Sequence, residues 1–305
     1  MGDGSDQFTW NSGDGSDHVD GDAGKDALLV NGTDTDEGFG VGSSGAGRAT
    51  LNVGPPAATL DFAGFEQLKI DTGAGDDIIE VKDLTGTGLV QVRLSFQPSD
   101  IDQLYVIAGD AGVSGRAFGS PTTGIAIGGM VGVSLVATGV DYLSLYGGTG
   151  DDIIDASRMA IGTVTELVLL GNFTLGGTDQ NTLIGSPGVD LMFSGFSRRS
   201  GDHMEGRDGD DQLQGGPGND ELVGGAGDDQ ILGRAGNDQL FGVDGDDHLL
   251  GGDDEDELFG GAGDDHLFGG DRDDRIFGEA GDDQLFGGEG DDVLDGGPGN
   301  NVIVQ

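Results

Sequence analysis

The most constraining feature of the chain is a nine-residue period that runs from Gly206 to Val304 without an insertion or a deletion. Position one of the period is Gly in all eleven copies, and position six is Asp in ten copies and Asn301 in the last. Position eight is always Leu or Ile. Because Gly does not recur at every third residue, collagen is excluded. A tandem repeat of this length is typical of a solenoid.

Each nonapeptide predicts one tight turn followed by one short strand. The Gly residues supply the positive φ that the turn needs, and the end of the repeat places one aliphatic side chain between two outward ones. One unit buries almost no apolar surface, so units must stack, and two nonapeptides form one rung. Equivalent positions in successive rungs then lie about 4.8 Å from each other. We therefore predict an all-β protein whose C-terminal part is a right-handed parallel β-roll.

The repeat resembles a known family. Residues 215–223 (GGPGNDELV) and 260–268 (GGAGDDHLF) match the pattern G-G-x-G-x-D-x-U-x of RTX proteins, the hemolysin-type calcium-binding repeat. The resemblance covers about the last third of the chain. It implies that Ca²⁺ lies between successive loops on each side of the roll, and that the protein is secreted by type I machinery of a Gram-negative bacterium.

The position-six acids then form two ladders of candidate ligands. Calcium takes six to eight oxygens, so a carboxylate together with the carbonyls of a Gly-rich turn suits it, and two stacked loops can enclose one ion. Up to nine ions fit between the loops. The alternative is that each Asp only caps its own turn. The ladders consist of Asp211, Asp229, Asp247, Asp265 and Asp283, and of Asp220, Asp238, Asp256, Asp274 and Asp292. The position-four glycines of the candidate sites are Gly209, Gly218, Gly227, Gly236, Gly245, Gly263, Gly281 and Gly290.

Residues 1–205 contain three single copies of the same loop, which end at the candidate metal ligands Asp17, Asp77 and Asp152. We interpret this part as three long, degenerate β repeats at about 1–60, 61–135 and 136–205, followed by the roll at 206–305. An irregular parallel β-solenoid is the preferred fold for 1–205. The alternative is a separate β-sandwich.

The net charge of the chain limits the classes of molecule that it can bind. The chain has 57 acidic and 13 basic residues, a net charge of −44, which argues against nucleic acid and anionic membranes as partners. It has no Cys and no apolar stretch long enough for a membrane span. Residues 206–304 hold 28 acids and four Arg, and their repulsion should keep this part open until Ca²⁺ binds. We therefore predict an extracellular calcium-binding module, secreted or on the cell surface, that folds on calcium and has a structural or secretion-assisting role in an exoprotein.

Two other functions stay open. One is a calcium-dependent adhesion module that binds a cell-surface polysaccharide, and the other is an accessory domain of a secreted enzyme. The chain shows no H-E-x-x-H, G-x-S-x-G or P-loop motif, and paired acids occur in every loop. We expect no catalytic residue and no organic cofactor in this chain.

Three further features concern individual residues. Asp254 and Arg272 replace Gly at position four in neighbouring loops, and we hypothesise that their ion pair leaves the calcium site there weak or empty; the alternative is that both point to solvent. The Phe residues at position nine, such as Phe259 and Phe277, predict strand stabilisation by stacking, with a docking surface as the alternative. The four His residues fall at position seven, which faces outward.

Overall fold

The computed structural model shows an all-β chain. It describes residues 2–54, 57–82, 84, 87, 89, 91–96, 102–107, 114–120, 124–128, 134–138, 142–148, 153–159, 166–172, 180–195 and 201–305. These residues contain no helix, and so no helix that could cross a membrane. They divide into two compact units, one formed by residues 1–109, 113–146 and 162–166, the other by residues 110–112, 147–161 and 167–305.

The residues that the structure describes form thirty strands in the two units. The first fourteen are β1 (Gln7–Asn11), β2 (Asp17–Asp20), β3 (Ala27–Asn31), β4 (Gly38–Gly45), β5 (Arg48–Gly54), β6 (Ala58–Ala63), β7 (Gln67–Asp71), β8 (Ile78–Val81), β9 (Gln91–Ser95), β10 (Gln103–Ile107), β11 (Ser114–Ser120), β12 (Gly124–Gly128), β13 (Ser134–Thr138) and β14 (Tyr142–Gly148). The others are β15 (Ile153–Met159), β16 (Glu166–Asn172), β17 (Thr182–Ile184), β18 (Asp190–Gly195), β19 (His203–Asp208), β20 (Gln212–Gln214), β21 (Glu221–Ala226), β22 (Gln230–Ala235), β23 (Gln239–Asp244), β24 (His248–Asp253), β25 (Glu257–Ala262), β26 (His266–Asp271), β27 (Arg275–Ala280), β28 (Gln284–Glu289), β29 (Val293–Asp295) and β30 (Val302–Val304).

The first unit is an irregular parallel solenoid interrupted by antiparallel strands. Its sheets have the orders β1-β3-β7-β9-β13-β12-β11 and β2-β6-β5-β4-β8-β10-β14. The meanders β4-β5-β6 and β11-β12-β13 are antiparallel, whereas strands such as β3, β7 and β9 stack in parallel. Val30, Ile70 and Leu94 form one inward column across those three strands, and each is buried. The solenoid interpretation is therefore confirmed, with the two meanders as an unpredicted addition.

The second unit is a parallel β-roll. All odd-numbered strands from β15 to β29 form one sheet, and all even-numbered strands from β16 to β30 form the other. The step from Thr182 to its partner His203 is longer than two nonapeptides. His203 pairs with Glu221, which lies two nonapeptides further along the chain. From there onward each strand residue pairs with its equivalent at this same spacing. The rung of two nonapeptides predicted from the sequence is therefore confirmed.

The core of the roll is one residue wide on each sheet. The position-eight side chains from Leu213 to Leu285 are at most 2 % exposed, because each stacks on its equivalents in the rungs above and below. Ile303, in the last strand, is 49 % exposed. An interior this thin leaves little apolar area to stabilise the roll, so the turns must contribute.

Candidate metal centre

The turns of the roll depend on backbone conformations that favour Gly. Position four has φ between 122° and 158° at Gly209, Gly227, Gly236, Gly245, Gly263, Gly281, Gly290 and Gly299. Gly218 lies outside this φ range. A Cβ atom at Gly245 would overlap the carbonyl group of Gly227 in the preceding rung. The turns of successive rungs therefore pack backbone against backbone at this position, which only Gly permits.

The position-six carboxylates link one rung to the next. Along both ladders one carboxylate oxygen, Oδ1, accepts a hydrogen bond from the backbone N–H of the equivalent acid in the preceding rung. Asp211 N, for example, donates to Asp229 Oδ1 at 2.8 Å, and Asp229 N donates to Asp247 Oδ1 at 2.9 Å. The other ladder repeats the contact from Asp220 N to Asp238 Oδ1 at 2.7 Å. Both predicted ladders are therefore present, and their acids are linked through the backbone.

The second carboxylate oxygen of most ladder acids is buried without a hydrogen-bond partner. A buried acceptor without a donor is costly, and a buried charge without a partner is more so. These atoms are the feature of the fold that best fits a cation. They are the Oδ2 atoms of Asp211, Asp229, Asp238, Asp247, Asp256, Asp265, Asp274, Asp283 and Asp292.

The same oxygens lie over the first Gly of their own loop. A Cβ atom at Gly206 would meet both Asp211 Oδ2 and the carbonyl oxygen of Gly224, one rung away. The same arrangement recurs at Gly242, with Asp247 Oδ2 and the carbonyl oxygen of Gly260. Loops of this kind therefore place a carboxylate oxygen and a backbone carbonyl oxygen beside the same Gly, and both are oxygen ligands that would suit Ca²⁺.

Burial changes the acid–base behaviour of the ladders. Desolvation raises the pKa of Asp211 and of Asp238 to about 8, and repulsion from neighbouring acids adds to it. It raises the pKa of Asp229, Asp247, Asp256 and Asp265 to about 7 and that of Asp274 to about 6. Near neutral pH the acids whose pKa is about 7 or 8 thus resist ionisation unless a positive charge lies beside them.

Carboxylates alone cannot complete a site. Among the residues that the structure describes, no group of three or more His, Asp or Glu side chains lies close enough to hold one metal ion. A cation in this roll needs backbone carbonyl oxygens as well, which the Gly-rich turns supply. Oxygen ligands of these two kinds suit Ca²⁺ rather than a transition metal.

The candidate ligands of the three upstream loops, Asp17, Asp77 and Asp152, differ in their surroundings. Asp77 is fully buried, and its Oδ1 accepts a hydrogen bond from the N–H of Glu37 at 2.9 Å, so it repeats the ladder contact. Asp17 is exposed at the start of β2, apart from the ladders. Asp152 lies outside the described residues.

Sequence reasoning missed several ladder acids. Asp190 N donates to Asp211 Oδ1 at 2.8 Å, and Asp202 N donates to Asp220 Oδ1 at 2.8 Å. In the first unit, Asp6 N donates to Asp26 Oδ1 at 2.8 Å. Asp202 was detectable because it lies two nonapeptides before Asp220, whereas the step from Asp190 to Asp211 is longer and breaks the period.

The predicted Asp254–Arg272 ion pair is present, and a second ion pair lies on a strand face. Arg272 Nε lies 3.0 Å from Asp254 Oδ1, and both residues have a φ of 80°. Arg275 Nη1 lies 2.6 Å from Glu257 Oε1 across neighbouring strands. The Arg272–Asp254 pair is at the exposed edge of the turns, and how it affects calcium there stays a prediction.

Stacked turns with buried, unpartnered carboxylates define a class of protein, the metal-binding parallel β-roll. The family model of the RTX calcium-binding nonapeptide repeat, HemolysinCabind, matches the chain in four copies at residues 144–158, 205–240, 241–271 and 268–303. The chain therefore carries RTX calcium-binding repeats between residues 144 and 303, as the sequence resemblance indicated. No curated protein matches the chain.

Proposed function

We propose that this protein is an extracellular calcium-binding module whose roll becomes compact only when calcium binds. The observation that carries the proposal is the row of nine buried Oδ2 atoms without a hydrogen-bond donor. The RTX repeats support calcium as the cation. When bound, the ion supplies the positive charge that the carboxylates lack. Asp residues of successive rungs hold it and remain ionised, while the Gly turns bring their carbonyl oxygens within reach.

The energetics favour a large effect. Extracellular calcium modules bind at about 10⁻⁴ to 10⁻³ M, and at ten times the dissociation constant one site contributes about 1.4 kcal/mol. Nine such sites would contribute about 13 kcal/mol, which is comparable to the stability of a whole domain. At submicromolar calcium the contribution is close to zero.

The difference in stability between submicromolar and millimolar calcium supports an extracellular location. A chain that stays open inside the cell and folds outside can pass a secretion channel, and RTX repeats are typical of secreted proteins. We therefore include secretion by type I machinery, followed by folding in millimolar calcium, in the proposal. The role is structural rather than catalytic.

A calcium titration of the purified full chain tests this function. Far-UV circular dichroism and limited proteolysis should both report a cooperative change between chelator and millimolar calcium, and Mg²⁺ at equal ionic strength should not reproduce it. The chain offers a matched pair of variants, Asp247→Asn and Asp246→Asn. Both remove one charge, but Asp247 is buried, whereas Asp246 is exposed and its Oδ1 accepts a hydrogen bond from Asp264 N at 2.8 Å.

We expect Asp247→Asn to shift the calcium midpoint several-fold upward and Asp246→Asn to shift it less. A chain that is equally protease-resistant in chelator and in calcium would contradict the function.

A further inference from the structure

In two loops near the start of the roll, a backbone N–H donates a hydrogen bond to the position-six carboxylate of the same loop. In loop 215–220 the N–H of Gly216 donates to Asp220 Oδ2 at 2.8 Å. In loop 185–190 the N–H of Ser186 donates to Asp190 Oδ2 at 2.6 Å, and Ser186 Oγ donates to Asp190 Oδ1 at 3.1 Å. The oxygen that lacks a donor in nine other loops is therefore satisfied by a backbone amide in these two.

The Oδ2 atom of Asp220 has the same position in its loop as the Oδ2 atoms that lack a donor. A Cβ atom at Gly215 would meet Asp220 Oδ2 and the carbonyl oxygen of Gly233, as the equivalent atom at Gly206 would meet Asp211 Oδ2 and the carbonyl oxygen of Gly224. What differs is the backbone at position two. Gly225 and its equivalents have a positive φ, such as 130°, whereas Gly216 does not.

The different backbone occurs beside a proline in both loops. Pro187 and Pro217 occupy position three of the two loops, and proline restricts the residue before it to extended conformations. The residue at position two is then held with its N–H toward the carboxylate. Loop 296–301 also contains a proline, Pro298, but Gly297 keeps a φ of 66°, and this loop is closed in a different way.

In the last loop a side-chain amide takes the place of the carboxylate oxygen. Asn301 Nδ2 lies over Gly296, where the other loops have Oδ2. It donates to the carbonyl oxygen of Gly296 at 2.6 Å and to that of Gly297 at 3.1 Å. Asn301 Oδ1 still accepts the ladder hydrogen bond from Asp283 N at 2.8 Å. The amide nitrogen therefore occupies, by hydrogen bonding, two carbonyl oxygens that would otherwise be available to a cation.

We propose that the loops 185–190, 215–220 and 296–301 are closed by hydrogen bonds of the protein in place of calcium. Loops 185–190 and 296–301 then bound the calcium row along the ladder from Asp211 to Asp283, and loop 215–220 bounds the start of the other row. This inference rests on the function proposed above. It removes Asp220 and the gap between Asp283 and Asn301 from the predicted ligand set. Calcium is confined to the loops whose Oδ2 atoms lack a donor.

The last loop gives the sharpest test, because its residues other than Gly296 are exposed or only partly buried and its alteration leaves the other rungs intact. The variant Asn301→Asp replaces the amide donor with a carboxylate. Its matched control is Asn300→Asp, which adds the same charge at the adjacent position; Asn300 Nδ2 donates outward, to Asp282 Oδ1 at 3.0 Å. Calcium per full chain is counted by equilibrium dialysis and elemental mass spectrometry.

We expect Asn301→Asp to bind one more calcium ion per chain than the wild type and Asn300→Asp to bind the same number. An unchanged count for Asn301→Asp, or an equal rise in both variants, overturns the assignment of this loop.

A second pair of variants tests loop 215–220. Asp238→Asn should lose one ion per chain, because Asp238 Oδ2 has no donor, whereas Asp220→Asn should keep the wild-type count. Far-UV circular dichroism in saturating calcium verifies that each variant is folded. Loss of one ion from both variants overturns the inference but leaves the proposed function intact. A wild-type chain that binds no calcium removes the function as well.

Discussion

At the scale of single residues, position four separates two kinds of turn. Gly245 and its ladder equivalents have φ values above 120°, a region that only Gly occupies without strain. Asp254 and Arg272 have a φ of 80°, which other residues adopt at a cost of about 1–2 kcal/mol. A side chain at this position therefore occurs only in these two neighbouring turns of the second ladder, whose glycines Gly236 and Gly290 keep φ values above 120°.

We predict that Gly245→Ala destabilises the roll by about 1–3 kcal/mol, because alanine would have to leave its allowed φ region and its Cβ would overlap the carbonyl of Gly227. Urea unfolding in saturating calcium measures the change. Gln239→Ala, on an exposed strand position, is the control and should alter the free energy of unfolding by less than about 0.5 kcal/mol. Equal stability of the two variants would show that the turn is not constrained at this residue.

Residue identity decided which parts of the site could be predicted. The ladders followed from the sequence because Asp recurs at position six and Gly at position one. The closure of loop 215–220 did not, because residues 215–220 match the repeat as well as any other loop does. The difference lies in the backbone of Gly216, and the Pro at position three does not decide it alone, because Gly297 before Pro298 has a φ of 66°. Asn301 was visible in the sequence, but its bonds to two carbonyl oxygens required the structure.

At the scale of strands, the outward aromatic rows are stacks. Phe241 and Phe259 have ring centroids 5.0 Å apart, Phe259 and Phe277 are 5.1 Å apart, and the planes of each pair are nearly parallel. On the other sheet Phe268 and Phe286 stack at 4.7 Å. Rings at this distance stabilise neighbouring parallel strands, which supports the stabilisation hypothesis over a docking surface.

For the variant Phe259→Ser we expect a loss of about 1–3 kcal/mol, since two stacking contacts disappear and a half-buried ring is removed. Urea unfolding in saturating calcium measures the loss, and light scattering follows self-association in the same samples. Leu250→Ser, at a position-nine residue that is 37 % exposed, should cost less. If Phe259→Ser instead abolished self-association without changing stability, the docking alternative would be correct.

The ion pair between two turns leads to a separate expectation. Arg272 binds Asp254 at the edge of adjacent loops, so its charge opposes a cation there. Arg272→Gln should therefore lower the calcium midpoint several-fold in an isothermal titration. Arg275→Gln removes the same charge from the strand face, where Arg275 pairs with Glu257, and should have a smaller effect. A larger shift from Arg275→Gln would refute the hypothesis of a weak site.

At the scale of the whole molecule, the ladder acids make calcium-free stability depend on pH. Burial raises the pKa of seven ladder acids from the usual 3.8 to about 6 to 8, so the folded chain binds more protons than the unfolded chain between these values. These seven are Asp211, Asp229, Asp238, Asp247, Asp256, Asp265 and Asp274. The protons' contribution to stability is fully present below about pH 4 and is lost as the pH rises through the folded-state pKa values. Calcium binding has the opposite dependence, because it needs the ionised carboxylates.

We predict that the metal-free chain, prepared on a chelating resin, is more stable at pH 5 than at pH 8, and that calcium reverses the order. Thermal unfolding followed by circular dichroism at both pH values measures this. A metal-free chain that is more stable at pH 8 would mean that the carboxylates are not buried as the structure shows.

Regularity also decided how much of the fold could be predicted. The roll followed from the period because every rung repeats the same pair of nonapeptides. In the first unit, residues 27–31 pair with residues 67–71, and the long segment between them contains the antiparallel meander β4-β5-β6. Such a spacing leaves no period to detect, because the inserted strands bury their own alternating side chains. The pairing of the strands in that unit could therefore not be predicted from the sequence.

The two-repeat rung has a consequence for how a chain of this kind can change its length. Successive nonapeptides alternate between the two sheets. Gain or loss of one nonapeptide would therefore move every later strand to the opposite sheet, so that Phe259 and Phe268, for example, would each change sheet. Gain or loss of two nonapeptides together would leave every later side chain on its own face. We expect natural size variants of this roll to differ by whole rungs, with the hydrogen-bonded loops kept at the two ends.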